Sequence, residues 1–79
     1  MYLPYGFTII KCVEGCIVFK SKYHYWQIVE SHDVYFLHHK HNVNDNFHIQ
    51  RKLPFYSIMS AFKYVKSHDD WVEVNRNTE

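Results

Sequence analysis

The sequence predicts an α+β fold: a single small domain over residues 1–79, in which an antiparallel meander of four to five strands carries one amphipathic helix on one face. Three observations carry that prediction. Short runs rich in Ile, Val, Phe and Tyr are separated by compact polar turns, which is the signature of hairpins. One later segment repeats apolar residues at helical spacing. At 79 residues the chain is long enough for one hydrophobic core and too short for two.

Residues 7–12, F-T-I-I-K-C, and 16–21, C-I-V-F-K-S, flank Val13-Glu14-Gly15. A three-residue loop with Gly last fits a turn closed by a left-handed residue, so the two runs pair as a hairpin. Residues 23–30, Y-H-Y-W-Q-I-V-E, end at Ser31-His32-Asp33, and residues 34–41 resume the same aromatic and β-branched character. A second hairpin follows. Asn42-Val43-Asn44-Asp45-Asn46 reads as another turn, because Asn and Asp tolerate left-handed backbone, and residues 47–53, F-H-I-Q-R-K-L, give a fifth strand that Pro54 closes.

Ile58, Ala61, Phe62 and Val65 fall at i, i+3, i+4 and i+7, with Ser60, Lys63 and Lys66 opposite. This spacing predicts a helix over residues 56–67 with Ser57 as N-cap, and Lys63, Lys66 and His68 suit its C-terminal dipole. The following W-V-E-V, residues 71–74, is expected as a short edge strand or as a segment that drops Trp71 onto the core.

Composition narrows the function. Hydrophobic residues make up 47% and aromatics 19%, with only two Gly and two Pro, so the chain has the apolar content to fold. A formal charge of +1 with scattered Lys and Arg lacks the basic patch of a duplex binder, although seven histidines add positive charge below neutral pH. No run is long and apolar enough for a membrane span, and M-Y-L-P-Y-G-F-T lacks a basic region followed by an apolar block, so a soluble, cytoplasmic, unprocessed protein is the expectation. A single Ala against seven Tyr, six Phe, seven Lys and five Asn is the skew of an AT-rich coding sequence, consistent with a phage or other mobile-element origin.

Catalytic equipment is sparse. Ser57 and Ser60 sit on the helix and no nucleophile elbow is present, while Glu14, Glu30, Asp33, Asp45, Asp69 and Asp70 fall at turns or element ends, where capping or solvation is the usual role. Two glycines cannot build a phosphate loop. No enzyme activity, cofactor or metal is therefore assigned.

Cys12 and Cys16, as C-V-E-G-C, read as two small apolar residues flanking a turn; half of a zinc knuckle or a cross-strand disulfide are the alternatives. Four of the seven histidines lie in the stretch L-H-H-K-H-N-V-N-D-N-F-H. If Asn44 centres that turn, Lys40 faces His48 and His39 faces Ile49, which puts His38, Lys40 and His48 on one face and His39 and His41 on the other. Neither pair makes a four-ligand metal site alone, and a one-residue slip would regroup them.

A protein-binding module is the leading expectation. The helix covers one sheet face and leaves the other partly open, and Tyr and Trp are enriched at interface hot spots. The residues expected to contact the partner are Tyr23, Tyr25, Trp26, Tyr35, His38, Lys40 and His48. The expected partner is a host protein or protein complex, occluded or inhibited by a phage-type accessory protein that is a monomer or homodimer. Single-stranded nucleic acid, stacked on aromatics interleaved with Lys20, Lys22, Lys40, Arg51 and Lys52, is the second reading, and a small zinc-binding domain the third.

Overall fold

The computed structural model describes residues 3–77, with Met1 and Tyr2, at the head of the stretch read for a leader, outside them. A short 3-10 turn, Pro4–Gly6, leads into strands β1 (Thr8–Val13), β2 (Cys16–Lys20), β3 (Tyr25–Ser31), β4 (Val34–Lys40) and β5 (His48–Ile49), followed by helix α1 (Ile58–Asn77). The strands form one antiparallel sheet in sequential order, β1-β2-β3-β4-β5. The predicted meander-plus-helix architecture is the observed one.

The turns follow from local chemistry. Gly15 takes φ +75° at the β1–β2 turn, a conformation that costs a residue without a Cβ little. His32 and Asp33 both adopt positive φ, 51° and 66°, as a tight β3–β4 hairpin requires at its two central positions. Strand β1 carries an irregularity at Ile10, where the pairing shifts between Ile9 and Lys11.

Alternation fixes the two faces of the sheet. Phe19, Trp26, Ile28 and Leu37 are buried and meet Ala61, Phe62 and Val65 of the helix, with Phe7 and Phe55 completing the core. Phe19 stacks on Phe7 at 5.4 Å and meets Phe62 edge-on at 5.3 Å, arrangements that suit the ring quadrupoles. The helix begins as predicted: the Ser60 amide donates to Ser57 Oγ at 3.1 Å, satisfying one of the free N–H groups of the first turn.

Two elements depart from the sequence prediction. The fifth strand is only His48–Ile49; the chain then swings out and returns at Phe55, which exchanges two 2.8 Å backbone hydrogen bonds with Tyr35. The helix runs to Asn77, so residues 71–74 are helical rather than an edge strand, and Trp71 is exposed. The physical reason is that the apolar stripe of the helix continues through His68, Asp69 and Val72, where polar side chains hide it, and no Gly or Pro follows Pro54 to stop it. Ion pairs of Lys66 with Asp70, one turn on, and of Lys22 with Glu73 support the extension. Among the described residues no helix is long and apolar enough to cross a membrane.

Candidate functional site

The register gives the uncovered sheet face residue by residue. Val13 pairs Cys16, Cys16 pairs Val29 and Val29 pairs Phe36, so these four side chains form one apolar row across four strands. The next row is Lys11, Val18, Gln27, His38 and Ile49. The third is Thr8, Lys20, Tyr25 and Lys40. The face thus grades from apolar at one edge to basic and aromatic at the other.

No described helix or strand lies against these rows, which leaves Val13 and Ile49 each 49% exposed. Lys20 and Lys40 hold their ammonium groups 5.8 Å from the Tyr25 ring on either side, and Lys40 also lies 4.5 Å from the ring of Phe47. The three rows contain lysines and a histidine but no carboxylate, because Glu30 pairs with Tyr35 on the helix side.

The cysteines separate. Cys16 belongs to the open face, where its Sγ accepts a 3.4 Å hydrogen bond from Gln27 Nε2, whereas Cys12 pairs with Ile17 on the helix side. Both thiols are free, and their placement on opposite faces rules out a shared metal or a bond between them.

The residues predicted to contact a partner divide among several places. Tyr25, His38 and Lys40 stand together on the open face. Trp26 does not: it is fully buried under the helix, with its Nε1 donating to Ser21 Oγ at 2.8 Å. Tyr35 is on the helix side, packed against the core. Tyr23 lies in the loop before β3, with Lys22 and Arg76 cations 5.5 and 5.2 Å from its ring. His48 pairs with His39, not Lys40, a one-residue difference from the predicted register that moves it to the helix side.

That shift creates a second feature absent from the sequence reading. His39, His41 and His48 now share the helix side with His24, from the β2–β3 loop, and His68, from α1. Ring centroids lie 4.4 Å apart for His24 and His41, 5.1 Å for His24 and His68, and 5.2 Å for His39 with either His41 or His48. Five imidazoles cluster over Trp26, whose ring lies 5.3 Å from His39 and 5.2 Å from His68.

Asp69, only 4% exposed, closes the cluster from the helix. Its Oδ1 accepts from Ser21 Oγ at 2.9 Å and its Oδ2 from the Lys22 amide at 3.0 Å. The chain Trp26–Ser21–Asp69 therefore ties the core indole to the carboxylate beside the histidines. Nδ1 of His24, His39 and His68 is buried without a hydrogen-bond partner, an arrangement that ordinarily costs stability.

Burial lowers the proton affinity of three of these rings, His39, His24 and His68. His39 is lowered to about 4, first by burial and then by His41, His24, His48 and His68. His24 is lowered by burial and by the charges of His41 and His68 against the pull of Asp69; His68 is lowered by burial, which Asp69 opposes. Because the unfolded chain binds the His39 proton near pH 6.5 and the native chain only near 4, this group leaves stability constant above pH 6.5. Native stability then falls as pH drops from 6.5 towards 4. Urea midpoints measured across that window should decline, and His39→Gln should flatten the decline. A profile unchanged by that substitution would contradict the assignment.

The signals for these residues were present in part. Val13, Cys16, Val29 and Phe36 follow from alternation once pairing is known, whereas His24, His68 and Asp69 come from a loop and a helix that only tertiary packing joins. Comparison of the chain with protein-family models, curated proteins and solved structures finds no match.

Proposed function

We propose that this protein is a small non-enzymatic binding module that docks a partner protein on its uncovered sheet face. The observation that carries the reading is the graded face itself: an apolar row of Val13, Cys16, Val29 and Phe36 bordered by Lys20, Tyr25 and Lys40 with no carboxylate among the three rows. Apolar side chains supply desolvation energy at an interface core, and charges at its rim set orientation and on-rate. The complementary partner surface is an apolar ridge flanked by Asp and Glu. Occlusion of a host or defence factor by a phage-type accessory protein is the mode of action we propose, on the strength of the small size, the sparse catalytic inventory and the AT-rich composition.

A protein partner is favoured over a single strand because the apolar row offers no cation for phosphate, and among the described aromatics only Tyr25 has lysines on both sides. The test is affinity capture from the source cell with the wild type, with Lys20→Glu/Lys40→Glu, with Phe36→Ser, and with Lys63→Glu on the exposed side of the helix as control. A specific protein retained by the wild type and the control should be lost from both face variants, by about tenfold or more for the charge reversal. Equal retention by all four would refute the surface. Salt-sensitive binding of a labelled single-stranded oligonucleotide in place of a protein would assign the face to nucleic acid, and face-dependent self-association in sedimentation would assign it to a second copy.

A further inference from the structure

On the opposite side of the sheet, and independently of the docking face, we propose that His24, His68 and Asp69, with His41 closing the fourth position, form a binding site for a zinc-class divalent cation. One ligand atom from each of His24, His68 and Asp69 lies within 4.8 Å of the other two. Tetrahedral zinc with bonds near 2.0–2.1 Å places its ligands about 3.3 Å apart, so side-chain rotations of roughly an ångström complete the site. The ring of His41 is stacked 4.4 Å from that of His24, on the solvent side of the cluster, and supplies a third imidazole as the fourth ligand.

Three further observations point to a cation. Asp69 is buried, and no Lys, Arg or His among the described residues makes an ion pair with it, although it faces two imidazoles. Its two hydrogen bonds offset part of the cost of burying a charge, and a divalent ion would supply the countercharge that they do not. The Nδ1 atoms of His24 and His68 are buried and unpartnered, so each ring has a nitrogen that hydrogen bonding in the protein does not use. Asp69 is already oriented by the Ser21 hydroxyl and the Lys22 amide, which is how surrounding hydrogen bonds hold a ligand in place.

The donor set selects the metal class. Imidazoles with one carboxylate suit Zn²⁺, Co²⁺, Ni²⁺ or Cu²⁺, whereas Mg²⁺ and Ca²⁺ require oxygen ligands throughout. A bound ion would join the β2–β3 loop, the segment after β4 and helix α1, adding to the ring contacts, the Asp69 hydrogen bonds and the Lys22–Glu73 ion pair that already link parts of them. Of the remaining imidazoles, His39 lies against His24 and His41, and His48 lies against His39.

The protein, prepared without a polyhistidine tag and stripped by chelation, is titrated with Zn²⁺ against a chromophoric chelator and with Co²⁺ by absorption. Native mass spectrometry supplies the stoichiometry. The expected result is one Zn²⁺ per chain, tetrahedral cobalt bands, and affinity lowered about 100-fold or more in His24→Gln and His68→Ala and about tenfold in His41→Gln. His32→Asn, at the distant β3–β4 turn, should bind as the wild type does. Because the cluster packs on Trp26, ¹⁵N chemical shifts of the imidazoles are also followed in the wild type, where Zn²⁺ should move the signals of His24 and His68 first. The proposal is overturned by the lack of saturable 1:1 binding, by shifts confined to other histidines, or by affinity within about threefold of wild type in a folded His24→Gln/His68→Ala double variant.

Discussion

Trp26→Ala is expected to remove a large fraction of the folding stability. The indole is fully buried between Phe19 and the helix, and its Nε1 donates the hydrogen bond that orients Ser21. Removing a buried aromatic costs about 3–5 kcal/mol, whereas a chain of this size has a total stability of roughly 4–12 kcal/mol at ~0.05–0.15 kcal/mol per residue. The second tryptophan, Trp71, is exposed and remains as a fluorescence reporter, so far-UV dichroism and urea denaturation can be compared in the same sample. Trp26→Phe keeps most of the apolar volume but leaves the Ser21 hydroxyl without its donor, and should be destabilised less. An Ala variant with a wild-type urea midpoint would show that Trp26 is not at the centre of the core.

Asp69→Ala is expected to have the next largest effect. Two donors, the buried Ser21 Oγ and the part-buried Lys22 amide, lose their acceptor where the helix meets the β2–β3 loop. Each buried group left unpaired costs about 1–3 kcal/mol, so a loss of roughly 2–4 kcal/mol follows if part of the cost is relieved by water entering beside His24. Asp69→Asn preserves shape and one carbonyl acceptor but presents an NH₂ where an acceptor is needed, so its loss should lie between the wild type and Ala. Chemical denaturation of the three proteins in excess chelator measures this structural contribution with metal excluded. A wild-type midpoint for Asp69→Ala would mean that the carboxylate does not hold the β2–β3 loop to the helix.

The two substitutions probe one connected unit. Trp26, Ser21 and Asp69 form a hydrogen-bonded line from the core to the histidine cluster, so their effects should be less than additive in a double-mutant cycle. The docking face lies across the sheet from this line. Variants of Lys20, Phe36 or Lys40 should therefore leave the metal site unaffected, and variants of His68 should leave the docking face in place.

Much of the architecture was legible from local pattern. Ile, Val and aromatic residues at alternate positions form the strands, Gly15 and His32-Asp33 form their turns, and Ser57 caps a helix whose first two turns carry Ile58, Ala61, Phe62 and Val65 inward. Each of these depends on residues within a few positions of one another, where steric preference and hydrogen bonding act directly. Pattern misjudged the helix end, because His68 and Asp69 occupy the inward stripe as polar residues and so resemble a terminus.

The sequence by itself therefore determined the hairpins, the cap and the start of the helix, and hence an α+β meander with one face left open. Tertiary structure alone decided which side chains share a face. In a strand a one-residue shift exchanges the two faces, and pairing His39 with His48 instead of Lys40 with His48 moved His48 to the side of His39 and His41, where His24 and His68 complete a cluster of five. The same packing brought ligand atoms of His24 and Asp69, 45 residues apart in sequence, within 4.8 Å of each other where the helix meets the β2–β3 loop. No local rule contains that contact, because it is set by where the helix lies on the sheet, and that position is chosen by burial of Trp26, Phe62 and Val65 together.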